Sequence, residues 1–235
     1  ELLDIPYQGA GVLGSALAMN KLAAKQIYEA RGLPVPAYAV VERSQRPQTD
    51  GLVRQLGLPL VVKPATAGSS IGMSIARHAE ELQPALERAL EYDTRILVET
   101  YIDGVEITGA VLGNDEPQAL PLIEIIPDNE HLFFDYEAKY TAGVTQEICP
   151  ARIDAALTQK AQQFAVRAHK ALYCTGYSRT DMMVRGNEIF VLETNTIPGM
   201  TPTSLFPQAA RAAGISFSQL LDRLIELGIQ AHHRR

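Results

Sequence analysis

Residues 179–201 read Arg-Thr-Asp-Met-Met-Val-Arg-Gly-Asn-Glu-Ile-Phe-Val-Leu-Glu-Thr-Asn-Thr-Ile-Pro-Gly-Met-Thr. Apolar stretches on either side of Arg185-Gly186-Asn187-Glu188 predict two adjacent strands joined by a short turn. The first carries Asp181; the second ends in Glu193 and Asn195, which are two residues apart and so share a face. A hairpin with this turn brings Asp181 across from them. Three oxygen donors then converge where Mg²⁺ fits, with water and phosphate completing its shell. Arg179 shares the face of Asp181, and metal plus guanidinium on one surface suits phosphoryl transfer to an acid. The alternative is a strand-end ion pair between Arg179 and Asp181. The metal reading is preferred, because polar side chains amid apolar strands are costly to bury without partners.

A chain of 235 residues is long enough for one large domain or two lobes around a real core. The net charge of −6 argues against a nucleic-acid binder, while a local basic patch still allows anion binding. Cys149 and Cys174 form neither a CxxC pair nor a metal spacing, so both read as reduced, buried thiols of a cytoplasmic protein. No signal peptide and no membrane-spanning apolar run is evident. The opening Glu1-Leu-Leu-Asp-Ile-Pro-Tyr-Gln-Gly9 reads as the exit from an earlier strand, so an upstream segment is expected. Ala231–Arg235 reads as a frayed tail.

A glycine-rich turn at 9–14 precedes a predicted helix over 15–31, with Ser15 as N-cap and Gly32 as the stop. Strands are predicted at 37–41, 58–64, 73–76 and 95–101, with helices at 48–55 and 79–91. Beyond Asp103-Gly104 a second lobe is predicted. Its strands are at 105–112 and 119–126, and a long polar and aromatic loop follows at 127–145. A helix at 153–173, the strand pair above, and helices at 204–213 and 216–227 complete it. The mixture is α+β, in lobes 15–103 and 104–235, with 1–14 as lead-in.

Lys63 ends an apolar strand, where it is either an anion ligand or a snorkelling edge lysine. Gly68-Ser69-Ser70-Ile71-Gly72 is by itself an ordinary hairpin turn. Lys63 five residues upstream shifts the reading toward a phosphate-cradling loop, though it is not a Walker A loop. Glu99 and Glu106 are by default surface glutamates at strand ends, or else acceptors for ribose hydroxyls. Lys139, beside Tyr140, is by default a solvated loop lysine, or else a lid residue that reaches a phosphate. His78, His131 and His169 show no ligand pairing.

Taken together, these residues resemble the ATP-grasp ligases, and among them the D-alanine–D-alanine ligases. The matching stretches run in order along nearly the whole chain. They are Asn20–Lys25, Val62–Pro64, Gly68–Gly72, Val98–Ile102, Glu106–Thr108, Tyr136–Tyr140, Ser178–Asp181 and Leu192–Leu205. The resemblance implies an ATP-grasp fold, with ATP between two α+β lobes. It implies that Lys21 and Lys63 contact the phosphates under the Ser69-Ser70 loop. Glu99 and the backbone near Ile102 would hold the adenine, and Glu106 the ribose. Lys139 would reach the γ-phosphate, and Asp181, Glu193 and Asn195 would hold two Mg²⁺, with Mn²⁺ as a substitute. Arg179 and the Gly199 N–H would bind the developing oxyanion; Ser70 and Tyr140 would join the catalytic group. Ser204 and Leu205 would meet the second substrate's carboxylate. Tyr140 favours an amine nucleophile, where phenylalanine at that position goes with D-lactate. The implied reaction joins two D-alanines through an acyl phosphate for peptidoglycan, in a homodimeric full-length parent that also carries an N-terminal lobe. An ATP-binding module without ligase activity, or a ligase for another acid and amine, are the competing readings.

Overall fold

The computed structural model describes residues 1–44, 48–127 and 145–234. In chain order, the elements begin with α1 (Val12–Met19), α2 (Lys21–Ala30), β1 (Tyr38–Glu42), α3 (Thr49–Leu56), β2 (Leu60–Pro64) and β3 (Ser74–Ala76). Next come α4 (Ala79–Tyr92), β4 (Arg95–Thr100), β5 (Val105–Leu112), β6 (Gln118–Ala119), β7 (Ile123–Pro127) and β8 (Thr145–Ile148). The chain closes with α5 (Ala155–Ala171), β9 (Tyr177–Arg185), β10 (Glu188–Asn195), α6 (Leu205–Ala212) and α7 (Phe217–His232).

The strands form two antiparallel sheets. The first has the order β1-β4-β2-β3. Its even-numbered residues Leu60, Val62, Ile96 and Val98 pack on Leu82, Leu86 and Ala89 of α4, with α3 alongside. Alternation therefore turns Val61, Lys63, Leu97 and Glu99 to the opposite face. The second sheet runs β10-β9-β5-β7-β8, with β6 added beside β5. One of its faces carries Ile107, Met182, Val184 and Val191 and is covered by α1, α2 and α5. Part of the other face, around Ala110, Ile123 and Tyr177, is covered by α6 and α7. The rest of that face looks toward the first sheet.

The predicted helix over 15–31 is in fact two helices, broken at Asn20. The Asn20 side chain accepts from the Ala23 N–H at 3.0 Å and so starts α2 as its N-cap. Ser15 lies inside α1, and its hydroxyl donates back to the Ala10 carbonyl at 3.1 Å. The break lets the Lys21 N–H reach the Ala65 carbonyl at 2.8 Å, tying α2 to the end of β2. Both helices bury their apolar residues on the second sheet and α5, whereas the sequence division grouped them with the first lobe. The predicted strand over 119–126 is split into β6 and β7 around Pro121, which has no N–H for the ladder. The expected tail is helical as far as His232, because α7 continues beyond residue 227. Cys174 is buried and Cys149 half-buried; both are free thiols.

Candidate active site

β10 must bury Ile189 and Val191 beneath α1 and α2, and also present Glu193 and Asn195 to the other face. Simple alternation forbids this, since all four residues have odd numbers. A β-bulge resolves it: the register with β9 shifts between Val191 and Glu193, leaving Leu192 as the extra residue. Glu193 then stands directly opposite Asp181, and Asn195 opposite Arg179. Thr108 of β5 is opposite Asp181 on the other side, so Thr108, Asp181 and Glu193 form one row across three strands.

Within that row, Asp181 is 7% exposed and fully engaged. Thr108 Oγ1 donates to Oδ1 at 2.6 Å, while Arg179 Nε donates to Oδ1 at 2.9 Å and its terminal nitrogen to Oδ2 at 2.8 Å. Burial works against the Arg179 charge, but Asp181 outweighs it and raises the guanidinium pKa. The arginine–aspartate pair anticipated as the alternative to metal ligation is thus formed, and Asp181 also faces the space between the sheets. Glu193 pairs with Lys21 Nζ at 3.2 Å, and Lys21 Nζ also donates to the Ala67 carbonyl at 2.8 Å. Asn195 Oδ1 accepts from the Ile197 N–H at 3.0 Å.

On the first sheet, Glu99 is buried rather than a surface residue, at 2% exposure. Lys63 Nζ lies 3.0 Å from its Oε2 and Lys25 Nζ lies 3.3 Å from its Oε1. Lys63 lies on β2 two residues beyond Val61, the residue opposite Glu99, and so shares its face; 10% of its side chain remains exposed. The loop after β2 holds Ser69 and Ser70 at φ +51° and +58°, the left-handed region that side chains rarely adopt. Each such residue costs about 1 kcal/mol or more. The Ile71 N–H donates to the Gly68 carbonyl and the Met73 N–H to the Ser70 carbonyl, each at 3.1 Å, so the loop is a tight hydrogen-bonded turn at the cavity mouth.

Between the sheets lies a cavity of about 430 Å³. It is lined by Lys21, Lys63, Ser69, Ser70, Glu99, Ile102 and Glu106, together with Asp181 and Glu193. Nine of the residues expected from sequence therefore meet in one place. Apolar Val61, Met73, Met183 and Leu192 complete a slot suited to a flat base, and its volume falls in the range of small-molecule sites. Arg179 touches the cavity through Asp181. Gly199, Ser204 and Leu205 lie beyond its walls, at the start of α6. There Ser204 Oγ accepts from the Thr201 N–H at 3.1 Å, and a methyl group on Gly199 would meet Ser204 Oγ at 2.9 Å. Lys139 and Tyr140 lie outside the described residues.

The donor set can be tested for a metal. Among the described residues no three His, Cys, Asp or Glu side chains gather as a cluster. Asp181 and Glu193, paired across the hairpin, supply hard oxygen donors from two carboxylates, and Asn195, two residues after Glu193, supplies an amide. Each carboxylate keeps lone pairs beyond its present contacts. This set suits Mg²⁺, which takes few protein ligands and completes its shell with water and phosphate.

The sequence reading missed four residues here. Lys25 was visible only as the second lysine, four positions and one helical turn after Lys21. Thr108 shares the period-2 face of Glu106. Glu124 and Arg152, also in the cavity wall, gave no sequence signal; the arginine donates to both carboxylate oxygens at 2.7 and 2.9 Å and lowers the Glu124 pKa.

Two lobes with antiparallel sheets enclosing a lysine- and carboxylate-lined cavity define an α+β ATP-grasp fold, and the comparisons agree. The D-alanine–D-alanine ligase of Bacillus anthracis in complex with ATP superposes with a TM-score of 0.85 at 34% identity, covering 99% of this chain and 73% of that one. The sequence model of the family described as D-ala D-ala ligase C-terminus matches residues 27–226. A D-alanine–D-alanine ligase of Syntrophobacter fumaroxidans is 62% identical over 230 residues, which are 98% of this chain and 74% of its relative. One from Desulfotalea psychrophila is 53% identical over 232 residues, covering 98% and 72%. The chain belongs to the D-alanine–D-alanine ligase family.

Proposed function

We propose that this chain performs ATP-dependent ligation of two D-alanines to D-alanyl-D-alanine, releasing ADP and phosphate, in the supply of peptidoglycan precursor. The observation that carries this reading is the cavity itself. Lys63 and the Ser69-Ser70 loop stand on one side, the Asp181–Glu193 pair stands on the other, and Lys21 reaches in beside Glu193, in a chain of this family.

In this reading residues 15–103 and 104–235 act as the two ATP-grasp lobes. Lys21 and Lys63 bind phosphate oxygens, and Ser69 and Ser70 close over them. Glu99 and the Ile102 backbone hold the adenine; Glu106 holds the ribose. Asp181, Glu193 and Asn195 would hold two Mg²⁺, which offset the charge of the phosphates. The carboxylate of the first D-alanine attacks the γ-phosphorus; a P–O bond forms to it and the bond to ADP breaks. Lysines on both sides reduce the repulsion between the two anions. The second amine, deprotonated, attacks the acyl carbon, and the C–O bond to phosphate breaks. Arg179 and the Gly199 N–H stabilise the tetrahedral oxyanion, while Ser204 and Leu205 receive the incoming carboxylate. Ser70, Tyr140 and Lys139 complete the catalytic group. Excluding water protects the acyl phosphate from hydrolysis.

The test is product analysis on the gene product that carries this chain, supplied with ATP, Mg²⁺ and D-alanine beside L-alanine and D-lactate controls. D-alanine-dependent ADP release with D-alanyl-D-alanine detected by mass spectrometry is expected. ATP binding without D-alanine-dependent turnover would leave only a nucleotide-binding module, and a product containing D-lactate would move the assignment to a depsipeptide ligase.

A further inference from the structure

Phosphate binding needs a lysine with positive charge to spare, yet Lys63 is already 3.0 Å from a carboxylate. An isolated Lys63–Glu99 pair would carry no net charge and would attract a polyphosphate weakly. The structure places a second cation against that carboxylate. Lys25 is fully buried, with its Nζ 3.3 Å from the Glu99 oxygen that Lys63 does not hold. Its ammonium also lies 5.3 Å from the centre of the Tyr38 ring. Lys25 Nζ and Glu99 Oε1 are both shut off from solvent and face each other as an ion pair. A buried lysine is expensive unless its charge is paired, and Glu99 is the carboxylate that pairs it.

Resting on the ligase reading above, we propose that Lys25 is a positioning residue: it takes up the charge of Glu99 from behind, leaving the Lys63 ammonium uncompensated toward the cavity and available to a polyphosphate. Lys25 reaches this position from α2, one turn beyond Lys21. The helix tied to the end of β2 through Lys21 N–H and Ala65 thus delivers one lysine into the cavity and one behind it. Counting formal charges, Lys25, Glu99 and Lys63 sum to +1. Lys25→Met makes the group neutral, and the double variant with Glu99→Gln returns it to +1; Glu99→Gln alone removes the carboxylate that raises the Lys25 pKa, so Lys25 releases its proton and the group stays at +1. Burial lowers the Lys25 pKa to about 8, so the residue is charged at neutral pH. The groups facing it are Glu99 on β4, Lys63 on β2, Tyr38 on β1 and Glu29 on its own helix.

The experiment is calorimetric titration of the gene product with tripolyphosphate, which has the phosphates of ATP without its base. Lys25→Met is expected to weaken binding about tenfold, the scale of one partly screened charge at this range. Glu99→Gln and the double variant are both expected to stay within about threefold of the wild type. The wild-type affinity should also fall as pH rises through about 8, in step with loss of the Lys25 proton, while Lys25→Met shows no such step. In turnover, Lys25→Met should raise the KM for ATP and leave that for D-alanine within about twofold. Wild-type affinity in Lys25→Met, or a double variant as weak as the single, would overturn the proposal, since a packing role does not depend on net charge. If Lys25→Met does not fold, Lys25→Gln, which keeps a donor toward Glu99 without the charge, takes its place: wild-type affinity in that variant overturns the proposal. A wild type that binds neither tripolyphosphate nor ATP would instead overturn the ligase reading.

Discussion

At Asp181 a carboxylate with two oxygens accepts three hydrogen bonds, from Thr108 and from two nitrogens of Arg179. Thr108 thereby fixes the plane of the carboxylate that Arg179 grips edge-on. Thr108→Val keeps the shape and removes the donor. Loss of a buried hydrogen bond to a charged group costs about 1.5–3 kcal/mol, so a fall in thermal stability is expected. Calorimetric melting measures it, and a melting temperature equal to the wild type would show that Arg179 alone suffices. Asp181, Glu193 and Lys63 were legible from sequence because each is a polar residue set in or beside an apolar strand; Lys21 was implied only by the family resemblance, since the predicted helix over 15–31 put it in mid-helix. Thr108 and Lys25 were not legible, since a threonine in a strand and a lysine in a helix are unremarkable until their neighbours are known. Glu99 was placed at the surface by default; only the approach of Lys25 from a remote helix explains its burial.

The hairpin β9–β10 was readable because its turn and apolar stretches are local. Its bulge was not. Pattern alone would put Ile189, Val191, Glu193 and Asn195 on one face, and it takes the core under α1 and α2 to show that this face cannot hold them all. Deleting Leu192 removes the extra residue: Glu193 then follows Val191 directly, in plain alternation, and keeps its place opposite Asp181 on the cavity face. Such a variant is expected to fold and to retain D-alanine-dependent ADP formation, having lost only the part of the cavity wall that Leu192 supplies. Denaturant unfolding and a coupled ADP assay check both, and a variant that neither folds nor turns over would show that Leu192 is not the residue the bulge absorbs. The break at Asn20 was missed for a similar reason: α1 and α2 share a continuous helical composition, and only the tie to Ala65 demands a fresh start there.

Over the whole molecule, two sheets turn charged faces toward one another, Lys63 and Glu99 from the first and Arg179, Asp181 and Glu193 from the second, with Lys21 of α2 against Glu193. The helical pair at the start of the chain belongs by its packing to the second sheet and by its lysines to the cavity, so the lobes are joined through more than the connection at Asp103-Gly104. The α+β class and both groups of strands, apart from β8 just after the predicted loop, were legible from periodicity. This crossing was not, because which sheet a helix covers is set by long-range contacts. Among the described residues no helix is long and apolar enough to cross a membrane. The central claim is that phosphate is transferred to a D-alanine carboxylate before the peptide bond forms. Its most direct measurement is oxygen tracing: the gene product is supplied with ATP, Mg²⁺ and D-alanine bearing ¹⁸O in both carboxylate positions. The account predicts one ¹⁸O in each phosphate released and one retained in the new amide carbonyl. Dipeptide formed with phosphate free of ¹⁸O would contradict it.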